Sequence, residues 1–172
     1  MVQFLNSPNN FFLPGPEATL DFGQALGCRL AEAFQQKVLV LPGLLTLTGD
    51  LGAGKTTFCQ GLGKGLAVDD PKEIVSPTFT LANEYPGPVP LFHLDLYRLA
   101  SEEEFHEAGL DEYLTRPGLT LVEWPFKMPV DFWPKKRLDL TLIFQSQGRL
   151  LKLTGHLLSI LRELKNKRRS DQ

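Results

Sequence analysis

Long apolar runs are missing from this chain. Its apolar stretches, such as Leu44–Leu47, have the length of a strand, so no segment is expected to span a membrane. No basic region followed by an apolar core opens the sequence, so a secretory signal is not expected either. Cysteine is scarce: Cys28 and Cys59 both fall in helical patterns. They are expected to be small reduced core residues of a cytoplasmic protein rather than a disulfide. Internal repeats and low-complexity tracts are also lacking, which excludes a solenoid or a compositionally disordered chain.

What is present fits one soluble α/β domain. The 172 residues are 42% hydrophobic and 22% charged, enough to bury a real core. The net charge of −2 hides an asymmetry: residues 1–134 carry 8 basic and 17 acidic side chains, residues 135–172 carry 10 and 3. The basic end, including Lys165, Lys167, Arg168 and Arg169, is either a solvated helix or a contact for nucleic acid or an acidic partner.

Along the chain, Asn6–Asn10 and Pro14-Gly15-Pro16 predict an irregular lead-in over residues 1–16. A helix should begin near Thr19, as its N-cap, and carry Leu20, Leu26, Leu30 and Phe34 on one side. A buried strand at 44–48, a glycine-rich loop and a helix over 55–66 follow. Extended runs are expected at 78–85, 89–96 and 119–124, and a hairpin over 137–153. Ser101 and Glu104 form a capping-box pattern ahead of an acidic, solvated helix face. An amphipathic helix with Leu157, Leu158, Leu161 and Leu164 should close the chain over residues 156–172, leaving 17–155 as the main domain. Strand, loop and helix followed by further strands predict a central mixed, mainly parallel sheet flanked by helices, with added antiparallel strands.

Gly49-Asp50-Leu51-Gly52-Ala53-Gly54-Lys55-Thr56 matches the P-loop pattern in full, between an apolar strand and a helix. Glycines let successive N–H groups converge on phosphate oxygens, and the following helix adds its positive end. Lys55 should reach the β- and γ-phosphates, and Thr56 should place its hydroxyl on Mg²⁺. No Asn-Lys-x-Asp guanine signature is present, so ATP is the expected nucleotide. A P-loop enzyme also needs a carboxylate at a strand end and a group that positions water. Asp95 and Glu123 end apolar extended runs and are the candidates. On position alone, Asp95 could instead cap a turn, Glu123 could pair with Arg98, and Trp124 could simply fill the core. Asp50 reads as a turn residue. His93 shares a face with Asp95, as a structural residue or one that orders the site. Ser76-Pro77-Thr78-Phe79 is either a plain turn or a loop that responds to the γ-phosphate.

Four segments in order, Gly49–Phe58, Val75–Leu81, His93–Leu99 and Val122–Pro125, together resemble the TsaE (YjeE) family over residues 17–155. That family is a bacterial ATPase needed to form threonylcarbamoyladenosine in tRNA. The resemblance implies a nucleotide site of Gly49, Asp50, Leu51, Gly52, Ala53, Gly54, Lys55, Thr56 and Thr57, with Trp124 at the site or its lid. It implies Thr56, Asp95 and Glu123 as the Mg²⁺-linked set, Lys55, Asp95 and Glu123 as the catalytic residues, and Ser76, Pro77, Thr78 and Phe79 as a switch loop. TsaD and TsaB are the implied partners, tRNA being touched only indirectly; ATP hydrolysis would drive or reset their cycle. Family members often have an acid just after the Glu-Trp-Pro element, whereas Phe126 and Lys127 stand here. A small-molecule kinase shares the P-loop but needs an acceptor pocket and phosphate-clamping arginines, and residues 86–117 offer only Arg98 and Arg116. A nucleotide-dependent binding module with little hydrolysis is the third alternative.

Overall fold

A computed structural model of the protein describes residues 3–4, by their backbone, and residues 9–158. In chain order these form strands β1 (Gln3–Phe4) and β2 (Asn10–Leu13), helix α1 (Pro16–Gln35), β3 (Gly43–Thr48), α2 (Lys55–Leu66), β4 (Ala82–Tyr85), β5 (Leu91–Asp95), α3 (Glu102–Glu107), β6 (Leu119–Glu123), β7 (Arg137–Gln145) and β8 (Gly148–Thr154). They build one mixed sheet of eight strands in the order β1-β2-β8-β7-β3-β6-β5-β4. The central strands β7, β3, β6 and β5 run parallel, and hairpin partners extend both flanks in antiparallel fashion.

The expected lead-in is not wholly irregular. Asn10–Leu13 pairs with Lys152–Arg149 of β8 and is the seam that ties the start of the chain to its last strand. Its Phe11 and Leu13 share one side and pack into the first core, Leu13 with no exposed surface. The first long helix also starts earlier than Thr19. Gly15 is its N-cap and Pro16 its first residue, where a missing N–H costs nothing, while the buried Thr19 hydroxyl bonds back to the Gly15 carbonyl (3.2 Å). The extended run expected from Thr78 begins only at Ala82. Residues 78–80 form a turn instead, closed by Leu81 N–H to the Pro77 carbonyl (2.7 Å). The Ser101 hydroxyl caps α3 at the Glu104 N–H (3.4 Å), but Glu104 reaches back to the Ala100 N–H (2.9 Å) rather than to that of Ser101. A helix begins at His156; the rest of the expected C-terminal helix and its basic tail lie outside the described residues.

Two cores sandwich the sheet. On one face α1 and α2 cover Leu45, Leu47, Leu121, Leu140 and Leu151. On the other, Leu44, Leu94 and Val122 pack against Leu96, Phe105, Leu110 and Met128. Cys59 is buried in the first core, whereas Cys28 sits on the exposed side of α1, contrary to expectation. Backbone approaches backbone between α1 and α2: a Cβ on Gly61 would run into the Leu20 carbonyl, and one on Gly23 into that of Phe58. Helix propensity alone favours alanine over glycine by about 1 kcal/mol. Gly61→Ala is nevertheless expected to destabilise the protein by a net ~1–3 kcal/mol through overpacking, read as a lowered midpoint of thermal unfolding. An unchanged midpoint would refute the close helix contact.

At the far edge of the sheet, Arg116 forks onto Glu84 (both contacts 2.6 Å) while stacking on Phe92. That hydrogen bonding holds the Glu84 carboxyl below its ordinary value near 4.5. Its contribution to stability is therefore full above about pH 4.5 and is lost as pH falls through the lowered folded value. Both side chains are exposed, so Glu84→Gln is expected to cost only a little stability at pH 7, a loss that vanishes as pH falls through the lowered value and so slightly flattens the acid limb of the stability curve.

Candidate functional site

The parallel strands β3, β5 and β6 end together, and their C-terminal ends carry the chemistry. The chain leaves β3 at Thr48, turns through the glycine loop and enters α2 at Lys55. Gly52 (φ +78°) and Gly54 (φ +99°) take the left-handed backbone that this turn requires. Gly49 is needed for space, since a Cβ there would stand 2.7 Å from the Leu142 carbonyl oxygen of β7.

Lys55 is buried and folds back over the loop. Its Nζ donates to the carbonyls of Gly49 (2.9 Å) and Asp50 (3.2 Å) and lies 3.7 Å from Glu123 Oε2. It also stands 5.0 Å from the centre of the Trp124 ring.

Asp95 and Glu123 are register partners at the ends of adjacent parallel strands, both almost fully buried. Two carboxylates this close need partners, and each has its own set. Asp95 Oδ2 accepts from Ser76 Oγ (2.6 Å) and Thr78 Oγ1 (2.9 Å), and Oδ1 accepts from the Tyr97 N–H (3.0 Å). Glu123 Oε1 meets His93 Nε2 at 2.9 Å, while Oε2 faces Lys55. Glu123 thus pairs with Lys55 and His93, not with Arg98, whose guanidinium lies 4.1 Å from the centre of the Phe79 ring. Asp95 does cap the turn at Tyr97, and it anchors the 76–78 loop as well.

These groups line a cleft of about 420 Å³, together with Leu51, Gly52, Gly54, Thr56, Thr57, Tyr97, Trp124 and Arg149. That is within the usual range for a small-molecule site. Trp124 is half-buried and does both: it packs against the second core and forms a wall of the cleft. It adopts a left-handed backbone (φ 55°), packs on Tyr97 (5.0 Å between ring centres) and meets Phe126 edge-on (5.8 Å). Phe126 occupies the position after Glu-Trp-Pro with 63% of its surface exposed. The next residue, Lys127, clamps the carbonyls of Tyr97 (2.5 Å) and Leu99 (2.7 Å), so the lysine supports the loop that carries Tyr97. Phe79 is 81% exposed at the tip of the loop that Asp95 anchors.

Every proposed site residue of the loop and strand ends is therefore in or beside one cleft. Asp50 and Ala53 take part through their carbonyls, and Pro77 and Phe79 through the loop. Arg149 escaped the sequence reading. From β8 it donates to the Ala53 carbonyl (2.6 Å) and covers Gly54, and its only sequence signal is a basic residue in an otherwise apolar strand end. The closeness of Cys59 to His93 (Sγ to Nε2 3.8 Å) was likewise invisible in the sequence.

Comparison with known proteins places the chain among described relatives. A family model described as "Threonylcarbamoyl adenosine biosynthesis protein TsaE" matches residues 13–151. The tRNA threonylcarbamoyladenosine biosynthesis protein TsaE of a Nostoc species is 40% identical over 84% of this chain and 83% of its own length. The protein of that name from a Synechocystis species is 47% identical over 69% and 71% respectively. The crystal structure of Bacillus subtilis YdiB superposes with a TM-score of 0.63 at 31% identity, covering 100% of this chain and 99% of that one.

Proposed function

The chain belongs to the TsaE family of tRNA threonylcarbamoyladenosine biosynthesis proteins, and from that premise we propose that its cleft binds ATP with Mg²⁺ and hydrolyses it to drive or reset a TsaB–TsaD complex. The observation that carries this reading is the meeting of Lys55, Thr56, Asp95 and Glu123 in one cleft around a glycine loop.

The donor set suits Mg²⁺: a hydroxyl and two buried carboxylates are hard oxygen ligands, and no thiol lines the cleft. Thr56, Asp95 and Glu123 would hold the ion, which supplies charge neutralisation on the phosphates. The loop also suits phosphate, because Gly52 and Gly54 take a left-handed backbone that side chains would strain, the conformation in which a turn ahead of a helix can offer N–H groups to an anion. Lys55 exchanges the carbonyls of Gly49 and Asp50 for phosphate oxygens, a short swing for a flexible ammonium. Glu123, its orientation fixed by His93, positions the attacking water. Asp95 links the metal position to the Ser76–Phe79 loop through two hydroxyls, so a change at the γ-phosphate is passed to a loop that presents Phe79 to solvent. A large apolar side chain anchored to the site suits nucleotide-dependent recognition of a protein partner.

A kinase reading gains nothing from the arginines of residues 86–117. Arg116 is forked onto Glu84 and Arg98 lies on Phe79. Phosphate release from ATP, measured with and without purified TsaB and TsaD and with candidate acceptors, tests the proposal. Release of inorganic phosphate stimulated by the complex is the expected result. Transfer to an acceptor would replace this reading with a kinase.

A further inference from the structure

Behind the cleft, three side chains from three elements converge on one point. Cys59 comes from the first turns of α2, His93 from β5 and Glu123 from β6, and all are buried. Cys59 Sγ is 3.8 Å and Glu123 Oε1 2.9 Å from the same imidazole nitrogen, Nε2, and the three ligand atoms all lie within 4.8 Å of one another.

This is not a nucleophile–base–orienter relay, which needs the thiol and the carboxylate on opposite ring nitrogens. Here both crowd Nε2, and Nδ1 is buried with no hydrogen-bond partner among the described residues. One ring nitrogen serves two neighbours while the other serves none. Sulfur, nitrogen and oxygen ligands gathered about a common point are instead the donor set of a thiophilic divalent cation. Tetrahedral zinc places such ligands roughly 3.3–3.7 Å apart, so the cluster closes on an ion with small side-chain rotations.

We propose that Cys59, His93 and Glu123 form an inhibitory site for Zn²⁺, distinct in ligand chemistry from the all-oxygen set facing the cleft. Burial first, and then the Glu123 carboxylate, push the Cys59 thiol well above its ordinary value. A bound cation reverses the second effect and lets the thiol release its proton on coordination. Among the described residues three protein ligands gather there, and His93 Nδ1 has no outer-shell acceptor of the kind that usually orients a ligating imidazole. Lys55 stands 3.7 Å from Glu123 Oε2 and opposes the ion. These features suit reversible occupation rather than a resident structural metal. Entry would be from the cleft, which Glu123 lines. Once held by zinc, Glu123 is drawn away from Lys55 and from the water it would position, so turnover stops. The inhibition rests on the ATPase reading; the binding does not.

Titration of the full chain with Co²⁺, followed by the thiolate-to-cobalt charge-transfer absorption and by zinc competition, tests the site directly. Wild type and Cys28→Ser should both saturate at a single equivalent. Cys59→Ser and Cys59→Ala should lose the band. They should also bind zinc more weakly by at least the roughly 10- to 100-fold that loss of an outer-shell partner costs. In parallel, Zn²⁺ added at fixed Mg²⁺ should inhibit ATP hydrolysis by wild type, and the Cys59 variants should escape at the same concentration. A thiolate band that survives in both Cys59 variants, or no band in wild type, overturns the site. Binding without inhibition keeps the site and overturns its regulatory role.

Discussion

Replacing Asp95 by alanine is expected to lower ATP turnover by about a hundredfold or more while leaving the sheet intact. The carboxylate has three hydrogen-bond partners, Ser76, Thr78 and the Tyr97 N–H, and it lines the cleft beside Thr56 and Glu123. Its removal would take one of the three oxygen donors proposed for Mg²⁺ and release the 76–78 loop in the same step. The strand itself survives, because the bonds from Asp95 N–H to the Leu81 carbonyl and from Leu96 N–H to the Glu123 carbonyl are made by the backbone. Losing hydrogen bonds to a charged acceptor costs about 1.5–3 kcal/mol each at most, and hydroxyls beside an open cleft recover part of this from water. Asp95→Asn separates the two roles, since an amide oxygen can still accept from the hydroxyls. Turnover should stay low while proteolytic protection of the loop is largely restored. Equal turnover in wild type and Asp95→Ala would remove Asp95 from the mechanism.

The second large effect is expected at Lys55. Lys55→Ala should weaken ATP binding by roughly a hundredfold, or about 3 kcal/mol, because an ammonium in a sheltered cleft makes charge-assisted bonds to phosphate. The same change should lower the stability of the nucleotide-free protein. Lys55 is the ion-pair partner of buried Glu123, whose strand neighbour Asp95 is a second carboxylate. Removing one partner of a buried pair leaves an uncompensated charge. At 3.7 Å the pair is loose and His93 still supports Glu123, so the loss should be nearer 1–2 kcal/mol than the 3–5 kcal/mol of a tight pair. A double-mutant cycle with Glu123→Gln isolates this coupling: the double variant should be more stable than the sum of the single losses predicts. Additive losses would show that Lys55 and Glu123 do not interact in the free protein.

Local patterns were the legible part of this chain. The α2 helix runs from Lys55 to Leu66 as the glycine loop and apolar spacing predict, and Asp95 and Glu123 close β5 and β6 as strand-end carboxylates. The cleft was legible for the same reason: each of its main groups sits at the end of a strand or at the start of a helix. What could not be read depends on contacts between distant segments. Arg149 reaches Ala53 from 96 residues further along the chain, and Cys59 meets His93 only after α2 and β5 pack together. The strand at Asn10–Leu13 was hidden by its polar and proline neighbours, because its partner β8 lies far along the sequence. The run expected from Thr78 starts instead with a turn over 78–80, because the Thr78 hydroxyl bonds Asp95 and the Leu81 N–H closes on the Pro77 carbonyl. Trp124 could not be assigned from the sequence because core and wall positions have the same composition.

Multiple-turnover formation of threonylcarbamoyladenosine on tRNA, reconstituted from purified TsaB, TsaD and threonylcarbamoyl-adenylate, tests the central claim most directly. Added with ATP and Mg²⁺, the wild-type chain should sustain repeated turnover and release phosphate in step with product, whereas Asp95→Ala should not. Equal product formation without the chain, or with Asp95→Ala in its place, would contradict a cleft that hydrolyses ATP to drive that complex.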